Sequence, residues 1–202
     1  MSEEKIILTD CDGVLLSWDY AFHQWMEVRG YQLQRKNEYS IAKSYGLESS
    51  EGSNLVQIFN ESAAMGFLPS LRDSQHILLK LRAVLGYRFV AITSMSDDRY
   101  AKILRERNLA KLFGPTAFKE VHCLPCGADK TEALEEAAEK YPGAYWVEDN
   151  TRNAEIGASL GLNARIMEHG YNMDYDGEVK IVKNWKEIYD EIVELENESN
   201  NR

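Results

Sequence analysis

Asp10 and Asp12 stand two residues apart, directly after the short apolar run Lys5–Thr9 (KIILT) and just before Gly13. Along extended backbone, residues two apart project to the same side. Both carboxylates therefore aim at one point, while Cys11 turns away into the fold. Two such charges repel by about 4 kcal/mol at roughly 4 Å and an effective dielectric near 20. A cation or a shared proton relieves that repulsion, and Gly13 lets the backbone turn sharply and a ligand come close. A solvated acidic turn uses the same Asp-Gly dipeptide; the position at the end of an amino-terminal hydrophobic strand favours chemistry. Further along, Thr93-Ser94 close the run that begins at Arg88, Asp129-Lys130 precede an amphipathic stretch, and Glu148-Asp149-Asn150 end the run AYWVE. Two acids, a hydroxyl pair, a lysine and another acid pair each follow a strand end or precede a helix, and it is their convergence on one rim that points to a site.

These groups can meet only if strands carry them to one rim. Lys5–Thr9, Arg88–Thr93, Ala144–Glu148 and Asn163–Met167 read as buried strands bounded by Gly, Asp or Asn. Phe118–His122 is a weaker strand candidate, and Glu178–Val182 alternates as an edge strand does. Asp73–Leu85, Asp97–Asn108, Lys130–Lys140 and Asn153–Leu160 carry helical spacing. Asp129 with Glu132 has the form of a capping box, which predicts a helix starting at Lys130. Asn184 is placed to cap a last helix held by Tyr189, Ile192, Val193 and Leu195; beyond Glu196 the chain reads as frayed. Strand–helix alternation predicts an α/β fold, a Rossmann-like core with a mostly parallel sheet flanked by helices. Ligands of such sheets bind beyond the carboxyl ends of the strands. Residues 18–70 hold no convincing strand. With helical candidates at Tyr20–Arg29 and Leu55–Ala64, they read as a small helical cap inserted after the first strand. The core then comprises residues 1–17 and 71–196, with 197–202 as a tail.

A chain of 202 residues buries roughly 70% of its extended surface and needs neither a disulfide nor a metal merely to fold. Lys plus Arg number 23 against 33 for Asp plus Glu, a formal charge of −10. That balance is the reverse of what a phosphate-backbone binder uses, so nucleic acid is not an expected partner. No apolar run approaches the roughly 18 residues of a membrane helix, and the acidic start Met1-Ser2-Glu3-Glu4 is unlike a signal peptide. Three cysteines suit a reducing compartment better than a disulfide framework. The expectation is a cytoplasmic protein, monomeric or homodimeric, with no membrane partner.

Ile6-Ile7-Leu8-Thr9-Asp10-Cys11-Asp12-Gly13-Val14-Leu15 resembles the first motif of the haloacid dehalogenase-like superfamily, most of whose members are phosphatases. Thr93, Lys130 and Glu148-Asp149 follow in the order of its second, third and fourth motifs. The resemblance spans roughly residues 4–195, and its first motif is the specific one. It implies Asp10 as nucleophile, forming an aspartyl-phosphate that water hydrolyses, and Asp12 as general acid and base. Family dehalogenases lack this second Asp, which points to phosphoryl rather than halide chemistry. Mg²⁺ is implied on the Asp10 carboxylate, the Asp12 carbonyl, Asp149 and waters. Thr93 and Ser94 would bind phosphoryl oxygens near a helix start, and Lys130 would neutralise charge on the nucleophile and the transferring group. Of the acidic pair Asp149 is the favoured direct ligand, which leaves Glu148 as either the alternative ligand or a structural neighbour. Asn153, where a second Asp is commoner, would orient a metal-bound water without adding charge.

The substrate implied is a small phosphorylated metabolite. Phe67-Leu-Pro-Ser-Leu71, Thr93-Ser94 and Gly170-Tyr-Asn172 with the later Trp185 are similar to the deoxyribonucleotidase branch, which keeps a 5′-nucleotidase as an alternative. Trp18, Phe22 and Trp25 offer faces that could stack a base, or they pack the cap at helical spacing. A non-catalytic phospholigand-binding relative is the alternative from another class; it would be expected to lose Asp10 or Asp12, and both are present. His122-Cys123-Leu-Pro-Cys126 supplies three possible zinc ligands but lacks a second Cys-x-x-Cys, so free thiols are expected. Lys119 is the rival to Lys130.

Overall fold

A computed structural model of the protein describes residues 4–200. Its frame is one sheet of six parallel strands: β1 (Ile6–Thr9), β2 (Arg88–Ser94), β3 (Phe118–Leu124), β4 (Tyr145–Glu148), β5 (Asn163–Met167) and β6 (Lys180–Val182). Their spatial order is β3-β2-β1-β4-β5-β6. β1 pairs with β2 on one side and β4 on the other, so the chain reverses its direction of travel across the sheet beside β1. All four β1 residues are buried, which explains why that strand is apolar on both faces.

Side-chain alternation divides the core in two. Ile7, Phe89, Ala91, Tyr145 and Val147 face one side, where α4 (Ser74–Leu85), α5 (Arg99–Phe113) and α8 (Trp185–Asn200) bury Leu78, Leu109 and Trp185 against them. Ile6, Leu8, Val90, Ile92 and Trp146 face the other, covered by α6 (Thr131–Lys140) and α7 (Thr151–Ser159). Residues 18–70 contain α1 (Trp18–Val28), α2 (Ile41–Tyr45), α3 (Ser49–Asn60) and a 3-10 turn at Ala63–Phe67. This insertion enters and leaves through one paired segment: Leu16 bridges Ser70, and the Ser17 N–H donates to the Pro69 carbonyl at 2.9 Å. Phe22 and Phe59 are fully buried and meet edge-on at 5.2 Å, giving the insertion an aromatic centre continuous with the core.

Several element ends differ from the sequence expectation, each for a capping reason. Helix α5 begins at Arg99 because the Asp98 carboxylate accepts from the Tyr100 and Ala101 N–H groups, both at 2.9 Å. It runs on to Phe113, whose buried ring anchors the last turn. Helix α6 starts at Thr131, one residue later than expected, because Asp129 accepts from the Thr131 N–H at 2.8 Å and leaves Lys130 as the cap. Asn150 caps α7 by accepting from the Asn153 N–H at 3.2 Å. Asn184 does cap α8, accepting from Glu187 N–H at 3.2 Å. Residues 197–200, expected to fray, continue α8; elongating a nucleated helix adds one hydrogen bond per residue fixed. The rest of that tail lies outside the described residues. Among the described residues no helix is long and apolar enough to cross a membrane.

Candidate active site

Asp10 is the first residue beyond β1, and its N–H continues the ladder to the Val147 carbonyl at 2.9 Å. This is the crevice where the strand order reverses, the place such sheets bind ligands. The Asp10 carboxylate is almost buried: Oδ1 accepts from the Cys11 N–H at 2.7 Å, and Oδ2 meets Lys130 Nζ at 2.9 Å. Burial pushes its pKa up to about 6, against the pull of Lys130. Cys11 itself is buried in the core, as the alternation requires.

Lys130 is 2% exposed and bridges Asp10 to Glu148, whose Oε2 lies 2.7 Å from its ammonium. Burial disfavours that charge, but the two carboxylates outweigh it and hold the ammonium protonated well above the ordinary lysine range. Glu148 is saturated. Its Oε1 accepts from the N–H groups of Asp149 and Asn150 at 3.0 and 3.1 Å, and its Oε2 also accepts from Asn153 Nδ2 at 3.4 Å. Asn153 therefore orients Glu148. Lys119, the rival lysine, pairs instead with Glu4 below the amino end of β1.

Asp149 is 7% exposed, and burial raises its pKa to about 6. Its Oδ2 accepts from the Tyr171 hydroxyl. The turn carrying Tyr171 is pinned by Asn172, whose Nδ2 donates to the carbonyls of Asp149 and Met167, both at 2.9 Å. His169 lies flat against Tyr171, centroids 5.0 Å apart, with Nε2 2.6 Å from the Gly13 carbonyl. One ligand oxygen each from Asp10, Glu148 and Asp149 lie within 4.8 Å of one another. Three carboxylates against one lysine make a buried excess of negative charge, and an all-oxygen donor set suits a hard divalent cation. Asp149, with fewer hydrogen bonds than Glu148, is the freer ligand.

Asp12 is expected to offer a cation its backbone carbonyl and not its carboxylate. The Asp12 carboxylate does not join this group, because Oδ2 pairs with Arg105 Nη2 at 2.7 Å. Thr93 is 1% exposed at the end of β2, and its hydroxyl has no hydrogen-bond partner among the described residues. An unpaired buried hydroxyl costs about 1–3 kcal/mol, so Thr93 fits an anion brought by a ligand. Ser94 donates to the Ala128 carbonyl at 3.0 Å and ties down the turn before α6; that bond accounts for its hydroxyl.

Asp10, Asp12, Thr93, Ser94, Lys130, Glu148, Asp149 and Asn153 all border one cleft of about 760 Å³ between the strand ends and the insertion. Asp19, Tyr39 and Tyr171 also line it, and sequence reasoning assigned them no role. Tyr171 sits in the segment Gly170-Tyr-Asn172, singled out only as a family-like string; Asp19 and Tyr39 carry no local spacing signal. Trp18 reaches the cleft, yet its ring stacks on Phe22 at 4.6 Å and its N–H donates to Asn60 at 2.9 Å, so packing accounts for it. The Cys-x-x-Cys thiols are free, and His122 Nε2 lies 3.1 Å from Glu120. Those three residues do not bring ligand atoms together as the acidic cluster does.

No family model matches the chain. It is 29% identical over 161 residues to an uncharacterized 32.4 kDa protein of the Gp30-rIII intergenic region of enterobacteria phage T4, a match covering 76% of this chain and 57% of the phage protein. The chain thus spans little more than half of that relative's length. Among solved structures, a haloacid dehalogenase-like hydrolase of Streptococcus pneumoniae superposes with a TM-score of 0.66 at 14% identity, covering 95% of this chain and 100% of that one. An L-2-haloacid dehalogenase gives 0.57 at 11% identity, covering 94% and 100%. A D,D-heptose 1,7-bisphosphate phosphatase of Burkholderia thailandensis gives 0.55 at 13%, covering 94% and 99%. With its six parallel strands, and with Asp10 at the crevice beside the central one, this chain has the haloacid dehalogenase-like hydrolase fold.

Proposed function

We propose that the chain is a divalent-cation-dependent phosphatase that hydrolyses the phosphomonoester of a small metabolite through an aspartyl-phosphate on Asp10. The observation that carries this reading is the pairing of two differently held aspartates at one strand end. Asp10 is braced by Lys130, and Asp12, by Arg105, beside the unpartnered hydroxyl of Thr93. Displacement at carbon by a lone aspartate has no use for the second carboxylate. Phosphoryl transfer to Asp10 does, because the departing oxygen needs a proton.

In the first step an Asp10 oxygen attacks phosphorus, the P–O bond to the leaving group breaks, and protonated Asp12 gives that oxygen its proton. In the second, the Asp12 carboxylate takes a proton from water as the water oxygen attacks phosphorus and the P–O bond to Asp10 breaks. Inorganic phosphate leaves, and Asp10 and Asp12 return to their starting states. Lys130 keeps a positive charge beside the attacking oxygen, and its bond to Glu148 fixes where that charge sits. Thr93 donates to a phosphoryl oxygen. Asp10, Asp149 and the Asp12 carbonyl would hold a divalent cation such as Mg²⁺, which when bound offsets charge on the transferring group. The insertion closes one side of the cleft, whose volume suits a small substrate.

The test is phosphate release from p-nitrophenyl phosphate and a panel of sugar phosphates and nucleoside monophosphates, with Mg²⁺ or with EDTA. Turnover should need the cation and fall by at least about 10³-fold in Asp10→Asn, since the nucleophile is lost. Turnover that persists in Asp10→Asn overturns the reading.

A further inference from the structure

Arg105 projects from the middle of α5 and is fully buried, 0% exposed. Its Nη2 donates to Asp12 Oδ2 at 2.7 Å, while Nε and Nη1 have no hydrogen-bond partner among the described residues. Asp12 Oδ1 is likewise buried and without a partner. Burying a guanidinium this incompletely satisfied is expensive, and an apolar side chain of similar volume would serve packing better. Among the described residues its one hydrogen bond is to Asp12, and α5 lies on the core side of the strand end, away from the cleft.

We propose that Arg105 is a positioning residue for proton transfer: it holds Asp12 through Oδ2 from the core side and so fixes the rotamer in which Asp12 borders the cleft and serves the leaving group. The proposal rests on the phosphatase reading above. The contact sets the rotamer of Asp12 and not the affinity for substrate, because Arg105 does not line the cleft. Losing the clamp should therefore matter in proportion to how much a leaving group needs a proton.

The experiment measures kcat and KM on aryl phosphates of graded leaving-group pKa, for wild type, Asp10→Asn, Asp12→Asn, Arg105→Lys, Arg105→Met and the double variant Asp12→Asn/Arg105→Met. Arg105→Met should lose about tenfold or more in kcat on the poorest leaving group and about twofold or less on the best, as general-acid help is withdrawn. KM should stay within about twofold, Arg105→Lys should fall between, and in the Asp12→Asn background Arg105→Met should add almost nothing. Where Arg105→Met alone does not fold by circular dichroism, Arg105→Lys and the double variant, which removes both members of the ion pair, carry the comparison. Even slowing across all leaving groups, or full additivity with Asp12→Asn, overturns the role of Arg105. Activity that survives Asp10→Asn instead overturns the underlying phosphatase reading, so the two failures are distinguishable.

Discussion

Gly13 adopts φ +74°, and a Cβ there would lie 2.6 Å from Asp149 Oδ2 and 2.9 Å from its Cγ. Both facts bar a side chain: the left-handed backbone disfavours it, and the carboxylate stands where it would go. Gly13→Ala should push Asp149 off its Tyr171 bond and weaken cation binding by about 10–100-fold, as losses of ligand orientation do. Titration of Mg²⁺ against turnover checks this; an unchanged midpoint would contradict it. Tyr171→Phe removes the hydroxyl from Asp149 without adding bulk, so its midpoint should move in the same direction by less. At this scale the strand-end motif made Asp10, Asp12, Thr93, Lys130 and Asp149 legible, because each follows an apolar run or begins a helix. Arg105 and Tyr171 were not legible. The first reads as one more charge in Arg-Glu-Arg of a polar helix, and the second reaches Asp149 only because Asn172 folds its turn back under the β4 end.

Helix α7 seats on the sheet through Gly157, where a Cβ would come within 2.3 Å of Trp146 Cδ1. The same tryptophan donates its N–H to the Asn153 carbonyl at 3.1 Å, so one ring sets both the height and the register of α7. Gly157→Ala should overpack this contact by about 1–3 kcal/mol, lowering Tm by about 2–4 °C per kcal/mol in a chain this size. Thermal unfolding checks the magnitude; an unchanged Tm would mean α7 can lift without loss. Because the first turn of α7 carries Asn150 and Asn153 behind Glu148, turnover should fall with stability. Element existence was legible from periodicity, since buried central strands such as IILT and YWVE are apolar on both faces. Boundaries were less so: Asp98, Asn150 and Asp129 each compete locally for helix starts, and side-chain caps decide between neighbours one or two residues apart. Helix α2 is five residues long, too short to show a period.

The whole molecule is acidic, −10, and it concentrates its least screened negative charge at the strand ends. Asp10 and Asp149 both have pKa values raised from 3.8 to about 6, burial being the chief cause. A carboxylate with a raised folded-state pKa binds protons more readily in the native than in the unfolded chain. Its contribution therefore favours folding below pH 4 and is lost as pH rises from about 4 through 6. The surface pairs run the other way: Glu120 is held down to about 2, chiefly by its bond to Lys140, and supports folding until acid protonates it. In EDTA, Tm should fall between pH 4 and 6 in wild type relative to Asp149→Asn, with the gap widening through that interval and then levelling. Parallel curves for the two proteins would contradict the assignment. A divalent cation at Asp10 and Asp149 must displace those protons, so binding is weakest where they are held. Mg²⁺ at 10 mM should then raise Tm by several degrees at pH 7.5 and by far less at pH 4.5. An equal rise at both would place the bound ion elsewhere on the acidic surface.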